Sequence, residues 1–159
     1  MSLARFHAAQ GDPHAGYDAA LAEIRRGRKT SHWIWYIFPQ LAGLGRSAVA
    51  EKYAIRDLAE ACDYLRDPLL RARYEEITAA VSHQLARGLA LENLMGSRID
   101  ALKLVSSLTL FRAAAHHLAV RDTSYEALAQ LCDATLHQTE AEGYSPYSHT
   151  VTSLSGNRP

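Results

Sequence analysis

Apolar residues recur along this chain every three to four positions, the spacing that lays an apolar stripe along an α-helix. Residues 3 to 10 predict a short helix with Phe6 facing inward. Asp12-Pro13 then reads as a start signal, with Asp as N-cap and Pro in the first turn, and Tyr17, Leu21 and Ile24 follow at helical spacing as far as Gly27. Ser31 is placed to cap a short aromatic helix that ends at Phe38, because a proline at 39 pushes its predecessor out of the α region. Ser47 predicts a helix through Ala54, and Asp57 another carrying Leu58, Ala61, Cys62 and Leu65. A second Asp-Pro pair, Asp67-Pro68, launches a long helix to Arg87, with Leu69, Tyr74, Ile77, Val81 and Leu85 inward and Gly88 as its stop. Residues 89 to 96 form a connector that holds one turn around Glu92 to Met95.

The stretch from Ser97 to Leu118 is patterned differently. Ile99, Leu102, Leu104, Val105, Leu108, Leu110 and Phe111 point nearly all round the cylinder, the mark of a central, buried helix. Ser97 and Asp100 stand at capping-box spacing. Thr123 and Glu126 repeat that spacing before a last helix faced by Tyr125, Leu128, Leu131, Cys132 and Leu136. From Thr139 on, Gly143, Pro146 and several Ser and Thr predict a loosely ordered tail over 139–159. No segment alternates with period two. The expected fold is therefore all-α: a compact single domain over 3–138, six to seven helices around the 97–118 helix, and no β-sheet.

Charge narrows the classes of partner. Lys plus Arg and Asp plus Glu number 17 each, so no net field recruits nucleic acid or an acidic membrane. The longest apolar run covers residues 33–38, far short of the ~20 residues a spanning helix needs. Met1 to Pro13 has no apolar leader segment, so the cytoplasm is the expected compartment. There Cys62 and Cys132 read as reduced, buried side chains. With no His-x-x-x-His or Cys-x-x-Cys, neither a metal nor another cofactor is expected.

Candidate chemistry gathers in two stretches. Ser31 to Gln40 holds both tryptophans, and residues two positions apart on a helix point about 200° from each other, so Trp33 and Trp35 cannot both face one core. One of them belongs at a cleft or an interface. His32, beside a predicted helix start, reads as a candidate base or hydrogen-bond partner. In the loop that follows, Gly45, Arg46 and Ser47 precede a helix and read either as an anion site or as a tight turn. On the central helix, Asp100, Lys103 and Ser107 fall within about 60° of arc, where they form either an internal ion pair or one polar wall.

Several short patterns have a counterpart. Lys29-Thr30-Ser31-His32-Trp33-Ile34-Trp35-Tyr36-Ile37-Phe38-Pro39-Gln40, Gly43-Leu44-Gly45-Arg46-Ser47 and Asp100-Ala101-Leu102-Lys103-Leu104, continued by Ser106-Ser107-Leu108-Thr109-Leu110-Phe111, resemble the family known as domain of unknown function 1810. The resemblance runs from residue 3 to about 136 and implies a small, all-helical, mostly bacterial cytosolic domain. Some relatives carry the label calpastatin, but that inhibitor is disordered and repetitive, unlike this composition.

These readings converge on a cleft between the 31–40 and 97–118 segments that takes a small anionic or nucleotide-like ligand. Trp33, Trp35, Gln40, Gly45, Arg46, Ser47, Lys103, Ser106 and Ser107 would bind it. A second reading makes the cleft a hydrolase of glycosidase type, with His32 and Asp100 as acid–base residues. A third has Trp33 or Trp35 presented to a second copy of the chain or to another partner.

Overall fold

The structure, a computed structural model, describes residues 3–146 together with Thr150, Val151 and Leu154. Among these residues there are nine α-helical segments: α1 (Ala4–Gln10), α2 (Tyr17–Arg26), α3 (Ile34–Ile37), α4 (Ala48–Lys52), α5 (Leu58–Arg66), α6 (Pro68–Ala86), α7 (Leu91–Met95), α8 (Arg98–Ala119) and α9 (Glu126–Ala141). Six of them have seven residues or more, and α3, α4 and α7 are single turns. The fold is all-α. Among the described residues the sole strand-like pairing is one parallel bridge, Leu41 with Ile55, which closes the 41–55 loop at its base.

The central place of α8 follows from its composition. Ala101, Leu104, Leu108, Leu110, Phe111, Ala114 and Ala115 are all fully buried, and α3, α5, α7 and α9 pack around them. Phe111 anchors a chain of rings, 4.5 Å from Tyr74 of α6 and 5.0 Å from Tyr64 of α5. Phe6 meets Tyr64 edge-on at 5.1 Å, and Phe38 meets Tyr74 at 5.6 Å, so α1 and the end of α3 join the same cluster. Tyr64 and Tyr74 remain satisfied: the Gln10 amide donates to the Tyr64 hydroxyl, and the Tyr74 hydroxyl pairs with that of Ser107. Cys62 and Cys132 are buried free thiols.

Caps set most boundaries. Ser47, Asp57, Asp67 and Ser97 each accept a backbone N–H at the start of α4, α5, α6 and α8. The first Asp-Pro pair acts otherwise. Asp12 accepts from the N–H groups of His14 and Ala15, which makes a turn, and α2 starts only after Gly16. A Cβ on Gly16 would stand 2.3 Å from the Asp12 carbonyl oxygen, so the turn requires glycine. Ser31 does not cap α3, which starts at Ile34 without a side-chain cap. The Thr123–Glu126 capping box is not made either: Asp122 caps a 3-10 turn, Thr123–Tyr125, that leads into α9. Two inward assignments also change. Leu70 is buried where Leu69 was expected, and Ile99 is 66% exposed, because it points to the side of α8 opposite the fully buried Ala101. The last helix runs past residue 138 to Ala141, and Tyr144, Thr150 and Leu154 beyond it are buried. For residues 147–149, 152, 153 and 155–159, the expected tail lies outside the described residues.

Candidate functional site

The site is assembled by the segment between α2 and α4, laid against the first half of α8. Gly27 ends α2 in the left-handed region, at φ 96°, and turns the chain back towards Glu23. One oxygen of that buried carboxylate accepts three bonds: from the N–H groups of Thr30 and Ser31 at 2.6 and 2.8 Å, and from the Trp33 indole at 3.0 Å. Burial pushes the Glu23 carboxyl up, but these donors and the Ser31 hydroxyl outweigh it and hold the group at about 2. Trp33 is thereby drawn wholly inside.

Lys29 docks this segment onto α8. Its backbone N–H donates to the Leu94 carbonyl, and its ammonium reaches Asp100 at 2.8 Å and the Ser31 carbonyl at 2.6 Å. The same ammonium lies 4.9 Å from the centre of the Trp33 ring. Gly96 makes the docking possible, since a Cβ there would stand 2.9 Å from the Lys29 carbonyl oxygen.

With Trp33 fixed inward just before α3, the single turn carries Trp35 to the outer side. Trp35 ends half-buried, with the Lys103 ammonium 4.3 Å from its ring centre. Lys103 stands 3.5 Å from Asp100 and, among the described residues, makes no hydrogen bond through its ammonium. Two ammonium groups thus share one carboxylate, which leaves one formal positive charge beside Trp35. After Pro39, Gln40 donates both amide N–H groups, one to the Phe38 carbonyl at 2.8 Å and one to the Lys103 carbonyl at 2.7 Å, tying the loop to α8.

These residues enclose two hollows that share Trp35 and Gln40. The smaller, about 150 Å³, is lined by Lys103 and Ser106 with Leu44, Ile99 and Leu102. The larger, about 380 Å³, lies against the 41–54 loop and includes Gly45 and Arg46. Gly45 is there for packing: a Cβ would meet Ala50 Cβ at 2.7 Å and the Trp35 ring at 2.9 Å.

The structure thus brings Trp35, Gln40, Gly45, Arg46, Lys103 and Ser106 to one place. The other candidates sit elsewhere. Trp33 is sealed in the core, and Ser107, one turn beyond Lys103 on α8, is fully buried and pairs with Tyr74. Ser47 spends its hydroxyl on capping α4, which at five residues is too short to serve as an anion site by its dipole. His32 is exposed and lines neither hollow. Asp100, held by two lysines, is a counter-ion, and no hydrogen bond or ion pair joins it to His32. Lys29 and Glu23 escaped the sequence reading because a basic linker and an amphipathic helix give no sign that they meet. Leu44, Ile99 and Leu102 look like ordinary core residues until the cleft is assembled. Among the described residues no cluster of His, Cys, Asp or Glu could hold a metal, and no helix is long and apolar enough to cross a membrane.

The chain belongs to the family described as protein of unknown function, DUF1810, whose pattern matches residues 1–142. It is similar to the crystal structure of a conserved hypothetical protein from Mycobacterium tuberculosis, with 37% identity, a TM-score of 0.79 and 96% of each chain covered. No curated protein matches it.

Proposed function

We propose that this member of the family binds a small ligand in the cleft beside Trp35, through an anionic or electron-rich oxygen that meets Lys103. One observation carries the reading: the Lys103 ammonium is placed over Trp35 at the cleft wall, yet Asp100 is already paired more closely with Lys29, at 2.8 Å against 3.5 Å. A purely structural lysine at that position would be dispensable, since an apolar side chain packs against a helix at lower cost. Arg46 adds a second cation across Trp35 for a ligand that extends into the larger hollow. Stacking on Trp35 is confined to the surface left between Lys103 and Gly45, so charge and hydrogen bonding outweigh ring stacking here.

The acid–base reading loses its pair, because His32 lies outside the cleft and Asp100 is neutralised. The partner reading keeps one supporting feature, Ile99, which is 66% exposed at the cleft rim. A thermal-shift screen of mononucleotides, sugar phosphates and small carboxylates tests the proposal, since a ligand of the folded state raises Tm by mass action. The expected result is a stabiliser whose effect disappears in Lys103→Met. If every stabiliser acts equally on wild type and Lys103→Met, the proposal is refuted. Light scattering in the same series shows whether a second copy covers Ile99.

A further inference from the structure

We infer that the occupant of the smaller hollow is a flat six-membered ring with an N–H beside a C=O, the lactam edge carried by pyridones and pyrimidine bases. The inference rests on the reading of this cleft as a binding site and specifies the ligand's chemistry. It begins from Gln40, which is 3% exposed and lines the hollow. Both of its N–H groups are spent on the carbonyls of Phe38 and Lys103. Those partners can only accept, so the amide cannot be turned over, and its oxygen is fixed as the one part left for a ligand. Among the described residues that oxygen has no partner, and it is not one of the unpaired polar atoms shut off from solvent. An aligned, unpaired acceptor in a nearly buried amide asks for a donor from outside.

The same hollow holds donors. The Lys103 ammonium has hydrogens to give, and the Ser106 hydroxyl pairs with that of Thr150 at 3.0 Å, which frees its own proton whenever Thr150 donates. An acceptor and donors in one small space select a ligand that carries a donor next to an acceptor. A plain carboxylate or phosphate satisfies Lys103 but sets oxygen against the Gln40 oxygen. Size and walls complete the specification. A space of about 150 Å³ matches the engineered cavities that hold one benzene, and Leu44, Leu102 and Ile99 give the faces of a ring apolar contact.

The test uses two probes of one shape: 2-pyridone, and 2-pyrone, in which a ring oxygen replaces the N–H. Each is titrated into the full chain with benzoate as the plain anion, following the Gln40 side-chain and Trp35 indole signals by NMR. A donor bond in such a site predicts that 2-pyridone binds at least about tenfold tighter than 2-pyrone. It also predicts that Lys103→Met loses this binding and that benzoate is the weaker ligand. Equal binding of the two isosteres overturns the lactam edge and leaves the site. Tighter binding of benzoate does the same, in favour of a simple anion site. Failure of all three probes to move either signal overturns both the edge and the site.

Discussion

Replacing Lys29 and Lys103 separately by Met distinguishes a lysine that holds the fold from one that the proposal sets against a ligand. Lys29 is the closed case: its side chain is 6% exposed, its ammonium bonds Asp100 and the Ser31 carbonyl, and Asp100 is itself only 17% exposed. Removing that cation strands a buried carboxylate, leaving it to Lys103 at 3.5 Å. Breaking one side of a buried pair costs roughly 3–5 kcal/mol. At about 2–4 °C per kcal/mol for a chain of this size, Lys29→Met should lower Tm by roughly 6–20 °C. Lys103 is the open case, 25% exposed. A part-solvated cation–π contact and a long ion pair are each worth about 1 kcal/mol or less, and the Met stem replaces most of the lost packing. Lys103→Met should therefore shift Tm by less than about 4 °C in either direction. Thermal melts followed by far-UV circular dichroism give both values without relying on tryptophan emission. Equal losses in the two variants would refute the reasoning, because Lys103 would then be as structural as Lys29. A negligible loss in Lys29→Met would show that Asp100 is solvated and the docking of residues 28–33 is weak.

Glu23 titrates at about 2 in the folded chain against an ordinary 4.5, so it stabilises the fold fully above pH 4.5 and progressively less down to pH 2. The contribution is roughly 3 kcal/mol, and Glu23→Gln should flatten that part of a stability-against-pH curve; an unchanged slope would count against it. Leu104 and Leu108 are fully buried, and each truncation to Ala should cost roughly 2–5 kcal/mol in urea melts, against near zero for a change at the exposed Val120. Gly45→Ala places a methyl group 2.7 Å from Ala50 Cβ and 2.9 Å from Trp35, so it should cost about 1–3 kcal/mol and shift the emission of Trp35. Stability and emission equal to wild type would mean that the loop does not rest on that ring.

How much of this was legible in the sequence depends on how local each cause is. Helix caps are written within four residues, which is why Asp57, Asp67 and Ser97 declared their helices. Asp12 failed as a helix start for an equally local reason, since Gly16 diverts the chain before Tyr17. The all-round apolar pattern of α8 announced a central helix, although Ile99 turns out to be exposed at the cleft rim. What the pattern could not show is pairing across distance. The sequence around Lys29 names no partner for it, and Asp100 read either as the i,i+3 partner of Lys103 or as part of a polar wall. The stronger bond runs from Lys29 to Asp100, 71 residues away in sequence, and nothing near either residue indicates it.

The two tryptophans show where local geometry did reach the site. Their spacing required that they part, and the structure decides which goes inside: Glu23 takes the Trp33 indole N–H, and among the described residues no equivalent acceptor meets Trp35. Each ring then receives a lysine, Lys29 over Trp33 and Lys103 over Trp35, with Asp100 between the two ammonium groups. The inner cation is saturated by a carboxylate, a carbonyl and an aromatic face, whereas the outer one has, among the described residues, an aromatic face and the long half of a shared carboxylate. The four residues therefore form two similar units that differ in one respect, access to the cleft. That difference is why the proposed recognition rests on Lys103, with Gln40 held beside it by the Lys103 carbonyl.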